Sequence, residues 1–118
     1  MTIGNPIWRT TNMKANKIIY VDIDETICFY EKEVPLDGKK EYNLAIPNNN
    51  NIQKINDLYD NGNTIVYWTA RGSRSGIDWY EFTKIQLGEW GAKHHRLECT
   101  KPYYDMFIED RSKRIEEI

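Results

Sequence analysis

Two aspartates stand one residue apart at the end of an apolar run, in the stretch YVDIDETICFY at residues 20–30. At a separation of about 4 Å and an effective dielectric constant of about 20, Asp22 and Asp24 would repel each other by roughly 4 kcal/mol. An ionised pair therefore persists only where a cation lies between or beside the two carboxylates. The spacing predicts a metal site at this point of the chain.

Two further acidic residues, Glu109 and Asp110, supply the same type of ligand near the other end of the chain. Hard oxygen donors without an accompanying His and Cys set favour Mg²⁺, which keeps several of its own waters and bridges to a phosphate. The predicted cofactor is therefore Mg²⁺, with the ligands Asp22, Asp24, Glu109 and Asp110.

Thr69 and Lys101 bring two groups that suit the oxygens of a phosphate. The hydroxyl is a hydrogen-bond donor and the ammonium is a compact cation, so both can hold negative charge as it shifts during transfer. With Mg²⁺ and Lys101 masking the charge of a dianionic ester, a carboxylate can attack the phosphorus in line. This set of residues predicts covalent phosphate-ester hydrolysis.

Buried elements must position these side chains, and the apolar runs of the sequence predict four strands and three helices. Strand one begins at Lys17 with KIIYV, which is apolar without alternation, as in a strand buried on both faces of a parallel sheet. The remaining predicted strands are TIVYW at 64–68, HRLEC at 95–99 and MFI at 106–108. The predicted helices run from Pro47 to a stop at Gly62, from Ile77 to Trp90 before Gly91, and over SKRIEEI at 112–118.

Strands that alternate with helices imply right-handed crossovers and a parallel sheet, and the fold class is therefore α/β. Ligands of such sheets bind in the crevice at the carboxyl ends of the strands. Each candidate residue follows one of the four predicted strands, in the order Asp22, Thr69, Lys101 and the pair Glu109 and Asp110.

Two segments lie outside this alternation of strands and helices. Asp37-Gly38 is a hairpin turn signal between strand-like stretches, so residues 27–46 are predicted to form a projecting β-hairpin. Residues 1–16 have no periodicity and contain Gly4 and Pro6, which predicts a loose N-terminal segment. The prediction is a single catalytic domain over residues 17–118.

Four motifs, taken together, resemble those of the haloacid dehalogenase superfamily of phosphohydrolases, and they occur in that family's order. They are DIDET at 22–26, VYWTARG at 66–72, KP at 101–102 and FIEDR at 107–111. The resemblance implies a Rossmann-like three-layer sandwich around a central parallel sheet, a hairpin flap after strand one, and no cap domain. In the last motif, Glu109 stands where small members of the family commonly have an aspartate, which changes the reach to the metal.

The resemblance also implies a role for each matching residue. Asp22 matches the nucleophile that forms an aspartyl phosphate, and Asp24 matches the acid/base that protonates the leaving oxygen and then activates water. Thr69 and Lys101 match the groups that grip the phosphoryl group. The Mg²⁺ ligands would be Asp22, the main-chain carbonyl of Asp24, and the motif at 109–110.

The substrate and the partners follow from weaker signals. Thr26 and Arg71 are candidate substrate contacts beside the acidic motif and in the second motif. The segments QLGEWG and KPYYDMFIEDR resemble small capless hydrolases associated with surface-polysaccharide and sugar-nucleotide pathways, which points to a small phosphosugar monoester. Because several capless members borrow a neighbouring subunit to cover the site, we hypothesise a homo-oligomer.

Composition excludes several classes of protein. The chain has 118 residues and a formal net charge of -2, which disfavours nucleic acid as a partner. Two cysteines, Cys28 and Cys99, are too few for a disulfide framework and suit a reducing cytoplasm. No apolar stretch is long enough to span a bilayer, so the prediction is a cytoplasmic protein without a membrane partner.

The sequence also has other interpretations, for the site and for the function. His94, His95 and Cys99 lack a complete tetrahedral set for zinc, and Cys28 is interpreted as a small buried hydrophobe. Within the enzyme class, the alternative substrate is a nucleotide or a nucleic-acid end. The alternative of another class is a phosphate-receiver module, but a receiver carries adjacent acids after its first strand and a separate phosphorylated aspartate after a later one.

Overall fold

The computed structural model describes residues 16–31 and 41–118, and within them it has the alternating strands and helices of an α/β protein. The predicted loose segment, apart from Asn16, lies outside the described residues. The strands are β1 (Ile18–Val21), β2 (Cys28–Phe29), β3 (Ile46–Pro47), β4 (Thr64–Trp68) and β5 (Arg96–Glu98). The helices are α1 (Asn49–Asp60) and α2 (Tyr80–Glu89), and short 3-10 turns cover Tyr42–Leu44 and Ile115–Glu117.

The main sheet has three parallel strands in the order β1-β4-β5. Its register places Val21 of β1 beside Tyr67 of β4, and Tyr67 beside Leu97 of β5. The prediction of a parallel sheet is confirmed, and so are strands at three of the four predicted places. The carboxyl ends of β1 and β4 consequently lie side by side.

The hydrophobic core forms around β4, the central strand. Ile65 and Tyr67 of β4 are fully buried and belong to one apolar cluster with side chains of both helices and of the loop after β1. From α1 the cluster takes Ile52, Ile55 and Leu58, and from α2 it takes Leu87. Helical spacing therefore predicts correctly which face of α1 is buried.

The prediction that strand one is buried on both faces is wrong. Ile18 is 66% exposed and Tyr20 is 49% exposed, whereas Val21 is buried. Among the described residues β1 pairs with β4 alone, so it is an edge strand, and side chains of an edge strand are covered less completely than those of a central strand. Apolar composition indicates a strand but does not show its place in the sheet.

Strands β2 and β3 form an antiparallel pair, with Cys28 opposite Pro47 and Phe29 opposite Ile46. This pair lies at the base of the predicted hairpin, and the predicted turn at Asp37-Gly38 is outside the described residues. The two strands therefore return the chain to the start of α1.

Helix α1 begins at Asn49 rather than at Pro47, which was predicted to open it, because Pro47 is still extended in β3. Asn48 is the N-cap, and its side-chain oxygen accepts a hydrogen bond from the backbone N–H of Asn51 at 3.0 Å. The helix ends before Gly62, whose φ is +94°, in agreement with the predicted stop.

Helix α2 begins at Tyr80, three residues later than predicted, and ends before Gly91 as expected. The residues before it form a turn in which Gly72 has a φ of +86° and the N–H of Gly76 bonds to the carbonyl of Gly72 at 2.9 Å. This turn cannot join a helix without losing its positive φ angles.

The fourth predicted strand, MFI at 106–108, is not a strand in the structure, and all three side chains are exposed. A short apolar run forms a strand only where a neighbouring strand takes its backbone hydrogen bonds, and no described strand does so. The predicted C-terminal helix is reduced to the 3-10 turn Ile115–Glu117. In the two described segments no helix is long and apolar enough to cross a bilayer.

Candidate active site

The candidate residues of the first two motifs lie at the carboxyl ends of the two neighbouring strands β1 and β4. Asp22 directly follows β1, and Thr69 directly follows β4. The backbone N–H of Lys101 donates to the carbonyl of Thr69 at 3.1 Å, which brings Lys101 to the same edge of the sheet. The expected meeting of Asp22, Thr69 and Lys101 is thus present in the backbone.

Asp22 and Lys101 form an ion pair at this edge, with 3.1 Å between Lys101 Nζ and Asp22 Oδ2. The other carboxylate oxygen of Asp22 accepts the backbone N–H of Ile23 at 2.8 Å. The side chain of Asp22 is 39% exposed, so this carboxylate remains open to a ligand in solution.

The Lys101 ammonium lies 5.6 Å from the ring centre of Trp68 and 5.4 Å from that of Tyr104. Burial lowers the pKa of Lys101, but the charge of Asp22 and hydrogen bonds to Tyr104 and Asp22 outweigh it, so the net pKa is above the ordinary lysine value. Lys101 therefore carries a full positive charge beside Asp22 at neutral pH.

Asp24 has a different environment, although it is only two residues away. Arg71 donates to both of its carboxylate oxygens, from Nε to Oδ2 at 3.1 Å and from Nη2 to Oδ1 at 3.0 Å. The Tyr30 hydroxyl donates to Oδ1 at 2.6 Å, and the Cys28 thiol lies 3.5 Å from the same oxygen. Asp24 is 14% exposed, so this pair is largely withdrawn from water.

Arg71 is itself held by helix α2 and by the residues after the hairpin. Its Nη1 donates to Thr83 Oγ1 at 3.1 Å and to Gln86 Oε1 at 2.8 Å, and both acceptors are buried residues of α2. The guanidinium also lies 4.4 Å from the ring centre of Tyr42. Burial lowers the pKa of Arg71, but the carboxylate of Asp24 more than offsets this, so Arg71 remains charged.

The two protic neighbours of Asp24 keep their protons. Burial, followed by the negative charge of Asp24, raises the pKa of the Cys28 thiol to about 12. The same two causes raise the pKa of Tyr30 above its ordinary value. Cys28 is fully buried and protonated at neutral pH, so it is a poor nucleophile, in agreement with its interpretation as a small buried hydrophobe.

The predicted contacts of Thr69, Thr26 and Arg71 with a substrate differ in how far their side chains can reach one. Thr69 is 1% exposed, and its Oγ1 accepts the backbone N–H of Arg71 at 3.1 Å. Arg71 has no exposed side-chain surface and, as placed, binds Asp24 rather than facing the crevice. Thr26 is partly exposed in the turn after β1, and its carbonyl accepts from Asn51 Nδ2 at 2.9 Å.

The side chains of Glu109 and Asp110 are both exposed. The Glu109 carboxylate accepts the backbone N–H of Arg111 at 2.5 Å and also that of Ser112. Across residues 16–31 and 41–118, no group of three or more Asp, Glu, His or Cys side chains is placed to hold a metal ion. The predicted four-residue ligand set is therefore not assembled here.

The donor chemistry fits Mg²⁺ at Asp22 but not at the side chain of Asp24. Mg²⁺ is commonly bound by one or two carboxylates together with waters and substrate phosphate oxygens. Asp22 has a partly exposed carboxylate, whereas both carboxylate oxygens of Asp24 accept from Arg71. The ligand roles of Glu109 and Asp110 stay predictions from the sequence.

The histidines have structural contacts near the amino ends of the strands. His95 Nδ1 accepts the backbone N–H of Ile65 at 3.0 Å, and its ring stacks on Tyr59 with 4.6 Å between the ring centres. His94 Nδ1 lies 2.8 Å from the carbonyl of Ala92. No zinc role is needed to account for these two side chains.

Sequence reasoning missed the residues that surround Asp24 and Arg71. Thr83 and Gln86 are separated from Asp24 by helices, strands and loops, whereas Tyr30 lies close to it in the chain. Gln86 opens the segment QLGEWG, but that segment does not indicate its contact with Arg71. Asn51, in the first turn of α1, was missed as well, and its side chain ties α1 to the turn after β1. Only Arg71 carried a signal, because it follows Thr69 by two residues in the second motif.

Comparison with known proteins gives a fold but no family. A crystal structure of an MCSG target from Vibrio cholerae is similar, with a TM-score of 0.71 and 22% sequence identity. The similarity covers 86% of this chain and 85% of that one. No protein-family model and no curated protein matches. The solved structure therefore supports the α/β fold and leaves the chemistry to the site itself.

Proposed function

We propose that the protein is a phosphomonoester hydrolase that acts through an aspartyl phosphate on Asp22. The observation that carries this proposal is the pairing of a partly exposed carboxylate with an ammonium at the carboxyl edge of a parallel sheet, with 3.1 Å between Asp22 Oδ2 and Lys101 Nζ. This edge is where α/β proteins bind ligands, and the two groups match a nucleophile and a phosphate-binding cation.

The chemistry proceeds in two balanced steps. An oxygen of Asp22 attacks phosphorus and the bond from phosphorus to the ester oxygen breaks. The leaving oxygen takes a proton from Asp24 in the fraction of molecules in which that carboxyl group, ionised in the pair with Arg71, has taken up a proton. Water then attacks the aspartyl phosphate and gives a proton to Asp24, which releases phosphate and restores Asp22. The sum is one ester and one water converted to one alcohol and one phosphate.

Lys101 binds phosphate oxygens during both steps, and Thr69 fixes the loop that follows β4. Their positions support these roles, because the backbones of Lys101 and Thr69 are hydrogen-bonded and the ammonium is already beside Asp22. Mg²⁺, when bound at Asp22, would neutralise part of the charge of the ester dianion.

The finer parts of the proposal come from the sequence resemblance. The protein is proposed as a small, capless member of the haloacid dehalogenase superfamily, with a small phosphosugar as its substrate and the cytoplasm as its location. The antiparallel pair of β2 and β3 supports a flap after strand one. A homo-oligomer that covers the open crevice belongs to the same proposal.

Release of phosphate from para-nitrophenyl phosphate, with and without added Mg²⁺, tests this function. We expect Asp22→Asn to lower kcat by at least about 10³-fold, because the amide is a far weaker nucleophile than a carboxylate. Asp60→Asn is the matched control, since Asp60 is an exposed residue at the end of α1 that pairs with Lys93 on the surface. A wild-type rate in Asp22→Asn would rule out the proposed nucleophile.

Counting the phosphate released per chain, together with mass spectrometry, separates an enzyme from a receiver-type module. An enzyme releases many equivalents of phosphate per chain, whereas a receiver takes up a single phosphoryl group and keeps it. Mass spectrometry of the chain after incubation with acetyl phosphate distinguishes the two. A stable, stoichiometric adduct without turnover would favour the receiver.

A further inference from the structure

We propose that Arg71 is a positioning residue that acts on the reaction only through Asp24, by holding its carboxyl group from helix α2. The inference rests on the proposed function and deepens it, because it names the group that aims the acid/base. It assigns to Arg71 a role other than the substrate contact expected from the sequence.

Arg71 and Asp24 form an ion pair with two hydrogen bonds. Nε and Nη2 of Arg71 each bond to a different oxygen of Asp24, at 3.1 and 3.0 Å. Two parallel hydrogen bonds fix the plane of the carboxyl group as well as its position, which a single bond from a lysine could not do. Rotation of Asp24 about its own side-chain bonds would break at least one of them.

Arg71 is fixed from outside the loop that carries Asp22 and Asp24. Nη1 bonds to Thr83 and Gln86, which lie three residues apart on one face of α2. Gln86 in turn donates from Nε2 to the carbonyl of Tyr42 at 2.8 Å. Helix α2 and the stretch after the hairpin therefore jointly determine where Arg71 lies.

The guanidinium of Arg71 is also buried. The side chain of Arg71 has no exposed surface, and its three guanidinium nitrogens all have acceptors on the protein. A substrate phosphate in the crevice would have to replace these bonds to reach it, whereas Lys101 is already beside Asp22. Arg71 therefore affects the reaction through the orientation of Asp24.

The chemical consequence is a dependence on the leaving group. Asp24 donates a proton to the leaving oxygen, which matters greatly for a basic leaving group and little for one that departs as a stable anion. If Asp24 is no longer held in position, hydrolysis of an ester with a poor leaving group should therefore become slower. Hydrolysis of an ester with a good leaving group should stay nearly unchanged. Substitution of a residue that binds the phosphate would instead slow the hydrolysis of both esters.

The experiment compares phenyl phosphate with dinitrophenyl phosphate in the wild type, Arg71→Lys, Asp24→Asn and the double variant. For Arg71→Lys we expect kcat on phenyl phosphate to fall by about 10- to 100-fold, which is a part of the roughly 10²- to 10⁴-fold that general acid catalysis contributes. On dinitrophenyl phosphate the loss should be below about 3-fold. The double variant should be no slower than Asp24→Asn alone, since both changes remove one function.

Thr83→Val provides a second route to the same question if Arg71→Lys does not fold. It keeps the shape of the side chain and removes one acceptor of Arg71, so it should show the same selectivity for the leaving group with a smaller loss. Lys84→Ala, an exposed change on the same helix, is the control and should leave both rates unchanged.

The outcomes separate this inference from the proposed function. Three results would overturn the positioning role alone. In the first, Arg71→Lys and Thr83→Val slow the hydrolysis of both esters equally. In the second, both variants have wild-type rates, and in the third, the losses add in the double variant. A wild-type protein that hydrolyses neither ester, with or without Mg²⁺, would overturn the proposed function and this inference with it.

Discussion

Asp22 and Asp24 are two residues apart in the chain and have opposite surroundings. Asp22 is 39% exposed and has one cationic partner, the ammonium of Lys101. Asp24 is 14% exposed and accepts two hydrogen bonds from a fully buried guanidinium and one from Tyr30. The sequence motif presents two equivalent carboxylates, and the fold makes them different.

The fold therefore gives two like groups, two residues apart, different partners and different exposure. A carboxylate that attacks a substrate must be accessible to it, whereas one that exchanges protons must be held in a defined orientation. Enzymes that use two acids commonly give them unlike environments for this reason. The comparison between the open pair and the buried pair can be tested by changing each in turn.

The largest effect on stability is expected at the buried pair. Arg71→Met leaves Asp24 charged without its main partner, and breaking a buried pair in this way costs about 3–5 kcal/mol in the free energy of unfolding. Urea unfolding at neutral pH measures the loss. Arg96→Met is the matched control, because the Arg96–Glu98 pair is largely exposed and should contribute less than about 1 kcal/mol. Similar losses of stability in Arg71→Met and Arg96→Met would mean that the buried pair contributes no more to folding than an exposed one.

A smaller but clear effect is expected at the turn that carries Arg71. In Gly72→Ala the new Cβ would lie 2.2 Å from the carbonyl oxygen of Ile77, at a φ of +86°. The left-handed conformation and the steric overlap together should lower the free energy of unfolding by about 2 kcal/mol or more.

The matched control for Gly72→Ala is Gly88→Ala in α2, where a Cβ meets nothing within 4 Å. Alanine replaces glycine inside a helix there, so the variant should gain about 0.5–1 kcal/mol in thermal or urea unfolding. Equal stability of the two variants would mean that the turn tolerates a side chain and does not fix Arg71.

The smallest effect is expected at the open pair and depends on pH. Lys101→Met should lower the free energy of unfolding by about 1 kcal/mol at neutral pH, because water reaches the carboxylate of Asp22, which is 39% exposed, although the side chain of Lys101 is only 13% exposed. The folded-state pKa of Lys101 lies above its ordinary value of 10.5, so the contribution is complete below that value and is lost as the pH rises through the raised pKa.

Unfolding of the wild type and Lys101→Met between pH 7 and pH 11 checks this prediction. The difference in stability should stay constant up to about pH 10 and then shrink. A difference that grows at high pH would mean that Lys101 is more stable in its neutral form, and the ion pair with Asp22 would not be the cause.

Local patterns predicted much of the fold because the relevant signals are short. TIVYW predicts the central strand β4, and the spacing of Ile52, Ile55 and Leu58 predicts the buried face of α1. Patterns within one element do not tell which strands are neighbours. The exposure of Ile18 and Tyr20 on β1 was therefore not predictable from an apolar run.

The site was predictable in part for the same reason. Asp22 and Lys101 could be placed at one edge of the sheet, because each follows a strand and the strands are parallel. The burial of Arg71 against Thr83 and Gln86 depends on how α2 packs, and packing of distant elements leaves no signal in a single sequence. The strand predicted at 106–108 failed because its apolar residues needed a partner strand.

Under the proposed function, the hydrogen bonds from Arg71 to Thr83 and Gln86 give α2 an influence on the reaction. Hydrogen bonds weaken steeply once the angle at the hydrogen falls below about 120°. A slight tilt of this helix would therefore pass through the guanidinium to the acid/base and change its aim. A substitution that tilts α2 should consequently change turnover while substrate affinity stays the same, whereas an exposed change that leaves the helix in place, such as Lys84→Ala, should not.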